Sequence, residues 1–266
     1  MAKRALPVLM YHHVSPVPGL VTMSLAVFRS QMQWLAEQGW TTLGAQGLAD
    51  FYAGKPIPDK SLVLSFDDGY LDNFLHAHPV LQELGLRALL FVVTGWLGDG
   101  PPRSGTAECL SHSECKRRIG AGQADDVVLR WSEVEAMHTA GSFEFHSHTD
   151  THTRWDKQLP PGAARRAAMA EELAQSRATL VQRLGECSRH LCWPQGYFEP
   201  DYVELAAAAG FDHLYTTQRL INLPGGDTRR IGRLAVKEKP GAWLGRRLGL
   251  YASPFWGGLY LRLRGR

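Results

Sequence analysis

Apolar and polar positions follow two spacings along the chain, and together they predict strands that alternate with helices. The segments 7–11, 61–66 and 87–94 are short and largely apolar, which predicts buried strands. The last of them is nearly all apolar, as is typical of a parallel strand that is covered on both faces. Apolar residues recur at helical spacing over 25–38 and 71–84, and a glycine follows each of these segments.

The same alternation continues through the second half of the chain. The further predicted elements are a helix over 131–140, a strand over 143–145, a helix over 161–184, a strand over 190–193, a helix over 201–209 and a strand over 211–216. Repeated strand and helix units predict a parallel sheet, and a parallel sheet that closes on itself forms a barrel. The stretch 97–126 is rich in Gly, Pro and Ser and too long for an ordinary connection, so we expect an irregular surface insertion there.

Composition narrows the class of protein. At 266 residues, with 44% hydrophobic and 21% charged residues, the chain has the makeup of a globular enzyme rather than a disordered or fibrous protein. Its four cysteines form no C-x-x-C pair, which argues against a disulfide framework and a cysteine zinc site. The opening apolar run is too short for a signal peptide, and no run reaches the roughly 20 apolar residues of a membrane-spanning helix. We therefore expect a cytoplasmic protein.

Two adjacent carboxylates follow the predicted strand 61–66. Asp67 and Asp68 precede Gly69, so they lie at the carboxyl end of a parallel strand, where barrels carry their chemistry. Adjacent residues point in different directions, and one carboxylate can then bind a metal while the other acts as a general base. The alternative is an Asp-Asp-Gly turn that only caps the following helix.

Two histidines are spaced like ligands of one metal ion. If the segment after the strand 143–145 enters a helix, His148 and His152 lie on one face, about 6 Å apart along the axis. Zinc accepts two histidines and one carboxylate and keeps a fourth position for water. The alternative is a pair of unrelated surface histidines. His146, two residues before His148, is predicted to point away from this site and to be structural.

Two further segments lie at predicted strand ends. Tyr11, His12 and His13 follow the first strand, and a histidine there could protonate a departing amine because its pKa lies near neutrality. The alternative is a histidine that fills a polar pocket. The turn CWPQGY at 192–197 suits the lining of a sugar-sized groove, although a packed loop is equally consistent with it. The candidate substrate-binding residues are Tyr11, Trp193, Pro194, Gly196 and Tyr197.

Three of these segments, taken in order, resemble the motifs of the polysaccharide deacetylases of carbohydrate esterase family 4, the NodB-homology domain. The matching segments are SFDDG at 65–69, HTDTH at 148–152 and CWPQGY at 192–197, within a resemblance that extends over 7–236. The resemblance implies a distorted (β/α)7 barrel of the α/β class in which Asp67 is the catalytic base. It also implies that Asp68, His148 and His152 bind a divalent metal, with Zn2+ as the default and Co2+ or Ni2+ as alternatives.

The opening VLMYHHV resembles a subgroup that includes the biofilm poly-N-acetylglucosamine deacetylases. By that resemblance His12 is the general acid and His13 is its substitute. One departure concerns the third motif, which commonly begins with an arginine that holds the catalytic aspartate, whereas this chain has Cys192 there. Arg230 or Arg233, in the segment RRIGRLAV, could supply that contact from another strand.

The expected function is metal-dependent hydrolysis of the acetamide of an N-acetylated amino sugar in a glycan or glycolipid. A water activated by the metal and Asp67 would attack the carbonyl, while the metal and a backbone amide near Tyr197 stabilise the oxyanion. Two alternatives stay open. One is a deformylase or amidase that uses the same metal site on another acylated substrate, and the other is a non-catalytic carbohydrate-binding barrel.

The sequence divides into a deacetylase-like domain, 1–240, and a basic aromatic tail, 241–266. The tail holds five arginines and no acidic residue. Such a segment could lie on an anionic membrane, where each arginine contributes roughly 1 kcal/mol, or it could pack against the barrel. Peripheral membrane contact would favour a lipid-linked amino sugar at the inner membrane face. The chain has no recognisable nucleic-acid-binding module, so we expect no nucleic-acid partner.

Overall fold

The computed structural model describes residues 4–104 and 107–263. Parallel strands alternate with helices along the chain. The strands are β1 (Val8–Tyr11), β2 (His13–Val14), β3 (Thr22–Met23), β4 (Thr41–Thr42), β5 (Ser61–Asp68), β6 (Ala88–Val92), β7 (Phe143–Ser147), β8 (His190–Cys192), β9 (His213–Tyr215) and β10 (Leu234–Ala235). The α-helices are α1 (Leu25–Glu37), α2 (Ala45–Tyr52), α3 (His78–Glu83), α4 (His112–Gly120), α5 (Trp131–Thr139), α6 (Trp155–Gln158), α7 (Ala163–Leu184), α8 (Pro200–Ala208), α9 (Gly241–Tyr251) and α10 (Pro254–Leu263).

The strands form a distorted barrel of the predicted (β/α)7 type, which confirms that prediction. Their order is β10-β1-β5-β6-β7-β8-β9, and every pair along this path is parallel. A parallel bridge between Tyr215 of β9 and Ile231, just before β10, joins the two ends of the path. The register of β7 and β8 pairs only Ser147 with Leu191.

Alternate residues of a strand face two different cores, and this alternation positions the site. Leu64 and Phe66 of β5 pack outward against the surrounding helices, whereas Val63 packs in the barrel interior. Because successive side chains point to opposite faces, Ser65 and Asp67 continue the inward series. The strand therefore delivers Asp67 into the mouth of the barrel, where the carboxyl ends of the parallel strands meet.

Several short elements were beyond the reach of the sequence patterns. The predicted helix 71–84 contains a π-helical turn, Asn73–Ala77, that runs into α3. The α2 helix places Leu48, Phe51 and Tyr52 against the interior core and so covers the amino-terminal end of the barrel. A helix of this length has too few turns to give a clear period.

The expectation of an irregular insertion over 97–126 is wrong for its second half. The α4 helix lies there, and Ser111 caps it by accepting a hydrogen bond from the Glu114 N–H at 3.4 Å. Arg103 ties the insertion to α5 because its guanidinium donates to the buried Glu133 carboxylate. Residues 105 and 106 of this insertion lie outside the described residues.

The tail packs against the barrel through α9 and leaves α10 partly uncovered. A Cβ at Gly241 would lie only 2.4 Å from the Trp34 Cβ, so this glycine lets α9 approach α1 closely. On α10, Phe255 and Trp256 are 69% and 58% exposed. Among the described residues, no helix combines the length and the apolar character needed to cross a bilayer. The last two tail arginines, at 264 and 266, lie outside the described residues.

Candidate active site

Backbone strain is concentrated in the loops at the barrel mouth. The described non-glycine residues with a positive φ are Val21 (52°), Asp68 (73°), Thr149 (66°), His152 (60°) and Gln195 (56°). All but Val21 lie at or just after the carboxyl ends of β5, β7 and β8, in the segments that the sequence singled out. A residue held in such a sparsely populated conformation costs of order 1–3 kcal/mol and persists where the surrounding structure enforces it, commonly at functional sites.

Asp68, His148 and His152 meet at the mouth of the barrel. Oδ1 of Asp68 lies 3.4 Å from Nε2 of His148 and 3.6 Å from Nε2 of His152. The three ligand atoms lie within 4.8 Å of one another. Two imidazole nitrogens and one carboxylate oxygen are a typical donor set of catalytic zinc, which keeps a further position for water. The residues present therefore fit a divalent metal ion.

The loop that carries the two histidines is not a helix, so the predicted reason for their proximity is wrong. Positive φ angles at Thr149 and His152 fold the chain back instead. Glu172 of α7 holds this loop, because its buried carboxylate accepts hydrogen bonds from the N–H groups of Asp150 at 3.0 Å and Thr151 at 2.9 Å. Sequence reasoning missed Glu172, since one acid among many charged residues of a long helix gives no signal.

Groups behind the candidate metal ligands fix the orientation of these side chains. Nδ1–H of His148 donates to the carbonyl oxygen of Cys192 at 2.7 Å, which leaves Nε2 free to face Asp68. Burial raises the pKa of Tyr70, and the nearby Asp68 carboxylate raises it further. The Tyr70 ring in turn stacks on His13, with 3.7 Å between ring centroids. Sequence reasoning missed Tyr70, although its place two residues after Asp68 is an available signal.

Arg233, and not Arg230, is the arginine that contacts Asp67. Nη1 and Nη2 of Arg233 donate to the two carboxylate oxygens of Asp67 at 2.6 and 2.8 Å. Nη2 also lies 3.0 Å from Sγ of Cys192. Arg230 does not contact Asp67 but donates to Gln218 at 2.9 Å, so the suggestion of Arg230 is corrected.

The charges at the mouth set the protonation of Asp67 and His12. Burial alone would raise the pKa of Asp67, but the guanidinium of Arg233 lowers that pKa below its ordinary value. Nε2 of His12 lies 3.8 Å from Oδ2 of Asp67. Burial lowers the pKa of His12, against the opposing effect of the two aspartates. At neutral pH the site therefore pairs an ionised carboxylate with a neutral imidazole.

Two other histidines named from the sequence do not reach the metal ligands. His13 is 1% exposed, and its Nδ1 lies 2.6 Å from Oδ2 of Asp72. It is therefore unsuited to replace His12 as the acid. His146 lies in the barrel interior, with Nδ1 2.6 Å from the hydroxyl oxygen of Ser188.

The prediction of a substrate-lining turn is corrected in part. The predicted lining residues that are buried are Tyr11, Trp193 and Pro194. The Tyr11 hydroxyl donates to Gln31 at 2.8 Å in the outer core, and Trp193 packs in an apolar cluster with Tyr202. These side chains pack in the core and do not line a substrate groove. An aromatic turn can fill a core as readily as it can line a groove, so the sequence alone did not distinguish the two.

Gly196 and Tyr197 remain half-buried near the surface. Their backbone N–H groups donate to the carbonyls of Trp193 at 2.8 Å and Pro194 at 3.1 Å, so neither amide is free for an oxyanion in this conformation. The guanidinium of Arg154 lies 3.9 Å from the centroid of the Tyr197 ring and covers one of its faces.

The chain is similar to known proteins in family, sequence and fold. The family model described as polysaccharide deacetylase matches residues 54–214, which contain Asp67, Asp68, His148 and His152 but neither His12 nor Arg233. YxkH of Bacillus subtilis (strain 168) is 24% identical over 240 residues, which cover 89% of this chain and 72% of that protein.

Two further relatives carry more specific names. The poly-beta-1,6-N-acetyl-D-glucosamine N-deacetylase of Escherichia coli (strain K12) is 31% identical over 131 residues, which cover 48% of this chain and 18% of that protein. The solved structure of IcaB from Ammonifex degensii aligns with 95% of this chain and 98% of that chain, at 28% identity and a TM-score of 0.73. The likeness to IcaB therefore spans the whole barrel.

Proposed function

Because this chain belongs to the polysaccharide deacetylase family, a family of amide-bond hydrolases, we propose that it removes the N-acetyl groups of a β-1,6-linked N-acetylglucosamine polymer. One observation carries the proposal: Asp67, held by Arg233, stands beside the donor set of Asp68, His148 and His152. The name of the Escherichia coli relative supports this choice of substrate.

The metal proposed for the site is a divalent ion, Zn2+ first and Co2+ or Ni2+ as substitutes. Asp68, His148 and His152 would hold it. When bound, such an ion polarises an acyl carbonyl and lowers the pKa of water. Imidazole nitrogen donors favour these metals over Mg2+ and Ca2+, which prefer oxygen ligands.

Asp67 and His12 form the proposed proton path. The ionised carboxylate of Asp67 accepts a proton from the water that attacks the acetyl carbonyl. Nε2 of His12, 3.8 Å from that carboxylate, takes up the proton and delivers it to the sugar nitrogen as the C–N bond breaks. The products are acetate and a free amine, and both side chains return to their starting states.

The test is acetate release from a soluble β-1,6-linked N-acetylglucosamine oligomer by the zinc-loaded protein. The wild type should release acetate, and Asp67→Asn should lose at least about 100-fold in kcat while it keeps its metal. Asp59→Asn, at a carboxylate that is 91% exposed, is the matched control and should keep full activity.

The alternatives give different results in the same assay. Faster release of formate from the N-formylated oligomer would favour a deformylase. Binding of the oligomer with release of neither acid would favour the non-catalytic carbohydrate-binding barrel, and either result would overturn the proposal.

We further propose that the tail rests on an anionic membrane surface through the outer face of α10. The exposed apolar residues of that face are Phe255, Trp256, Leu259 and Leu263. The tail has no acidic residue to oppose its arginines. The carbonyl of Ala252, just before α10, accepts a hydrogen bond from the N–H of Ala5 at 3.1 Å, so α10 begins near the amino-terminal end of β1.

This position bears on the substrate. His12 follows the carboxyl end of β1, at the opposite end of the barrel from the start of α10. A molecule bound through α10 would hold its site away from the bilayer. The proposal therefore favours a polymer in the aqueous phase over the lipid-linked sugar expected from the sequence, and the cytoplasmic location stays a prediction.

Co-sedimentation with vesicles of phosphatidylcholine and phosphatidylglycerol tests the membrane contact. Replacing both Phe255 and Trp256 with serine should release most of the protein from the vesicles. Leu20→Ser removes another exposed apolar side chain, 74% exposed in the loop after β2, and should leave binding unchanged. Equal sedimentation of the wild type and the double variant would contradict the contact.

A further inference from the structure

His112 belongs to the insertion, yet it lies at the edge of the site. It is the first residue of α4, and its ring meets the Tyr70 ring edge-on, with 6.0 Å between centroids. The Asp68 carboxylate lies near Tyr70 and adds to the effect of burial in raising the pKa of Tyr70. The charge of Asp68 influences the pKa of His112, so the two side chains lie near each other. The His112 ring is therefore a neighbour of the metal ligands without being one of them.

A buried acid and histidine stand behind His112. Asp72 and His13 are 4% and 1% exposed, and Nδ1–H of His13 donates to Oδ2 of Asp72 at 2.6 Å. The other carboxylate oxygen, Oδ1, accepts hydrogen bonds from the N–H of Val14 at 3.3 Å and from the side-chain amide of Asn73 at 3.0 Å. Neither Asp72 nor His13 is accessible to a substrate, and the proposed proton path uses neither.

This pair fixes the position of the hydrogen on His112. In the form of His13 with a single ring hydrogen, that hydrogen is on Nδ1, which donates to Asp72, and Nε2 is an acceptor. It lies 3.1 Å from Nδ1 of His112, so that nitrogen carries the hydrogen and Nε2 of His112 keeps a lone pair. Burial lowers the pKa of His112 to about 4, which keeps the ring neutral at pH 7.

We propose that His112 binds the substrate by accepting, at Nε2, a hydrogen bond from a hydroxyl group of the amino-sugar polymer, and that Asp72 and His13 are its positioning residues. This inference rests on the proposed function. Sugar hydroxyls are donors, and a neutral imidazole with its Nδ1–H engaged offers an acceptor of fixed direction. The insertion would then contribute to recognition of the sugar while the barrel carries out the hydrolysis.

Steady-state kinetics of acetate release from the soluble β-1,6-linked oligomer test the role of His112. His112→Ala should raise KM by roughly 3- to 10-fold, the effect of one neutral hydrogen bond, and leave kcat within about twofold. His112→Gln, whose side-chain oxygen is an acceptor, should recover most of the loss. Ser113→Ala, an exposed neighbour on the same helix, should change neither constant.

Asp72→Asn tests the positioning role without removing any atom of His112. Oδ1 must still accept from Val14 and Asn73, so the amide nitrogen takes the place of Oδ2 and donates to His13. His13 then donates to His112, and Nε2 of His112 carries the hydrogen. The KM of Asp72→Asn should rise as much as that of His112→Ala. A double variant that carries both Asp72→Asn and His112→Ala should have a KM no higher than that of either single variant.

Three results would overturn the inference: an unchanged KM in His112→Ala, a fall in kcat at constant KM, or additive effects in the double variant. Thermal unfolding of each variant confirms that the folded protein is being compared. If the wild type releases no acetate, the proposed function fails instead. The role of His112 in binding can then still be tested by calorimetry, with the oligomer titrated into Asp67→Asn and into the variant that carries both Asp67→Asn and His112→Ala. Weaker binding to the second variant supports the inference, and equal binding refutes it.

Discussion

Arg233 and Asp67 lie 166 residues apart in the sequence, yet the guanidinium of one donates to both carboxylate oxygens of the other, at 2.6 and 2.8 Å. Both side chains are buried, with 0% and 4% exposure. A bidentate pair fixes the direction of a carboxylate as well as its charge. The third motif of the family that CWPQGY at 192–197 resembles commonly has an arginine at the position of Cys192. In this chain the arginine comes instead from the segment before β10.

Replacing Arg233 with methionine should have two effects. The protein should lose roughly 3–5 kcal/mol of stability, because a buried carboxylate is left without its partner. The pKa of Asp67 should rise, since Arg233 lowers it in the wild type, so the acid limb of the activity profile moves to higher pH. Denaturant unfolding and a pH–rate profile measure these effects, and a variant with the wild-type stability and profile would contradict the assigned contact.

Glu172→Gln should weaken metal binding although Glu172 is not a ligand. Its carboxylate holds the N–H groups of Asp150 and Thr151, and so it shapes the loop between the two histidines. Loss of such support typically costs about 10- to 100-fold in metal affinity. Competition with a zinc chelator measures the change. His152→Ala should bind more weakly still, and a Glu172→Gln affinity equal to that of the wild type would assign the acid a purely structural role.

Buried histidines should make the fold acid-sensitive. His146 and His190 are buried, and the half-buried His213 stacks on His190, so the three rings form a row with centroids 5.2 and 4.6 Å apart. Burial lowers the pKa of His146 to about 3 and that of His190 well below its ordinary value. In the unfolded chain these rings take up protons near pH 6.5, so the unfolded state binds more protons below that pH. Stability should therefore fall as the pH drops from about 6.5 towards 3.

At pH 5 the expected loss in the free energy of unfolding from His146 is about 2 kcal/mol. Urea unfolding at pH 7.5 and pH 5 measures it. His146→Gln keeps a polar partner for Ser188. Between pH 7.5 and pH 5, the free energy of unfolding of this variant should fall by about 2 kcal/mol less than that of the wild type. Equal decreases in the two proteins would show that His146 does not cause the acid sensitivity.

Trp193→Ala should act on stability rather than on substrate binding. The Trp193 side chain is fully buried and packs with Tyr202, so its removal should cost about 3–5 kcal/mol. KM for the oligomer, corrected for the folded fraction, should not change. A raised KM in the folded fraction would show that Trp193 does contribute to substrate binding, as the sequence predicted.

The sequence was informative wherever chemistry follows directly from a strand end. Asp67, Asp68 and His148 could be named because apolar strands stop at them, and the parallel topology brings such ends together. The proximity of His148 and His152 could also be predicted, but its cause could not. A loop that reverses direction through a positive φ at Thr149 leaves no periodic pattern of apolar residues in the sequence. A short strand such as β10, of two residues, likewise gives no register from which to choose between Arg230 and Arg233.

The contacts that the sequence could not show are long-range ones. Glu172 contacts a loop that lies 21 and 22 residues before it, and the rings of Tyr70 and His112 both contact His13, which lies far away in the chain. The burial of Trp193 depends on α7 and α8, which cover that face of the barrel. The pattern of a single segment contains no information about which neighbour will cover it.

The central claim is that one divalent ion binds Asp68, His148 and His152. A neighbouring set, Asp67, His148 and Cys192, also offers ligand atoms within 4.8 Å of one another, although Arg233 contacts both Asp67 and Cys192. X-ray absorption at the zinc edge of the zinc-loaded wild type distinguishes the two sets. We predict nitrogen and oxygen ligands alone, at about 2.0–2.1 Å, with the signature of two imidazoles, whereas a sulfur ligand at about 2.3 Å or a single imidazole would contradict the account.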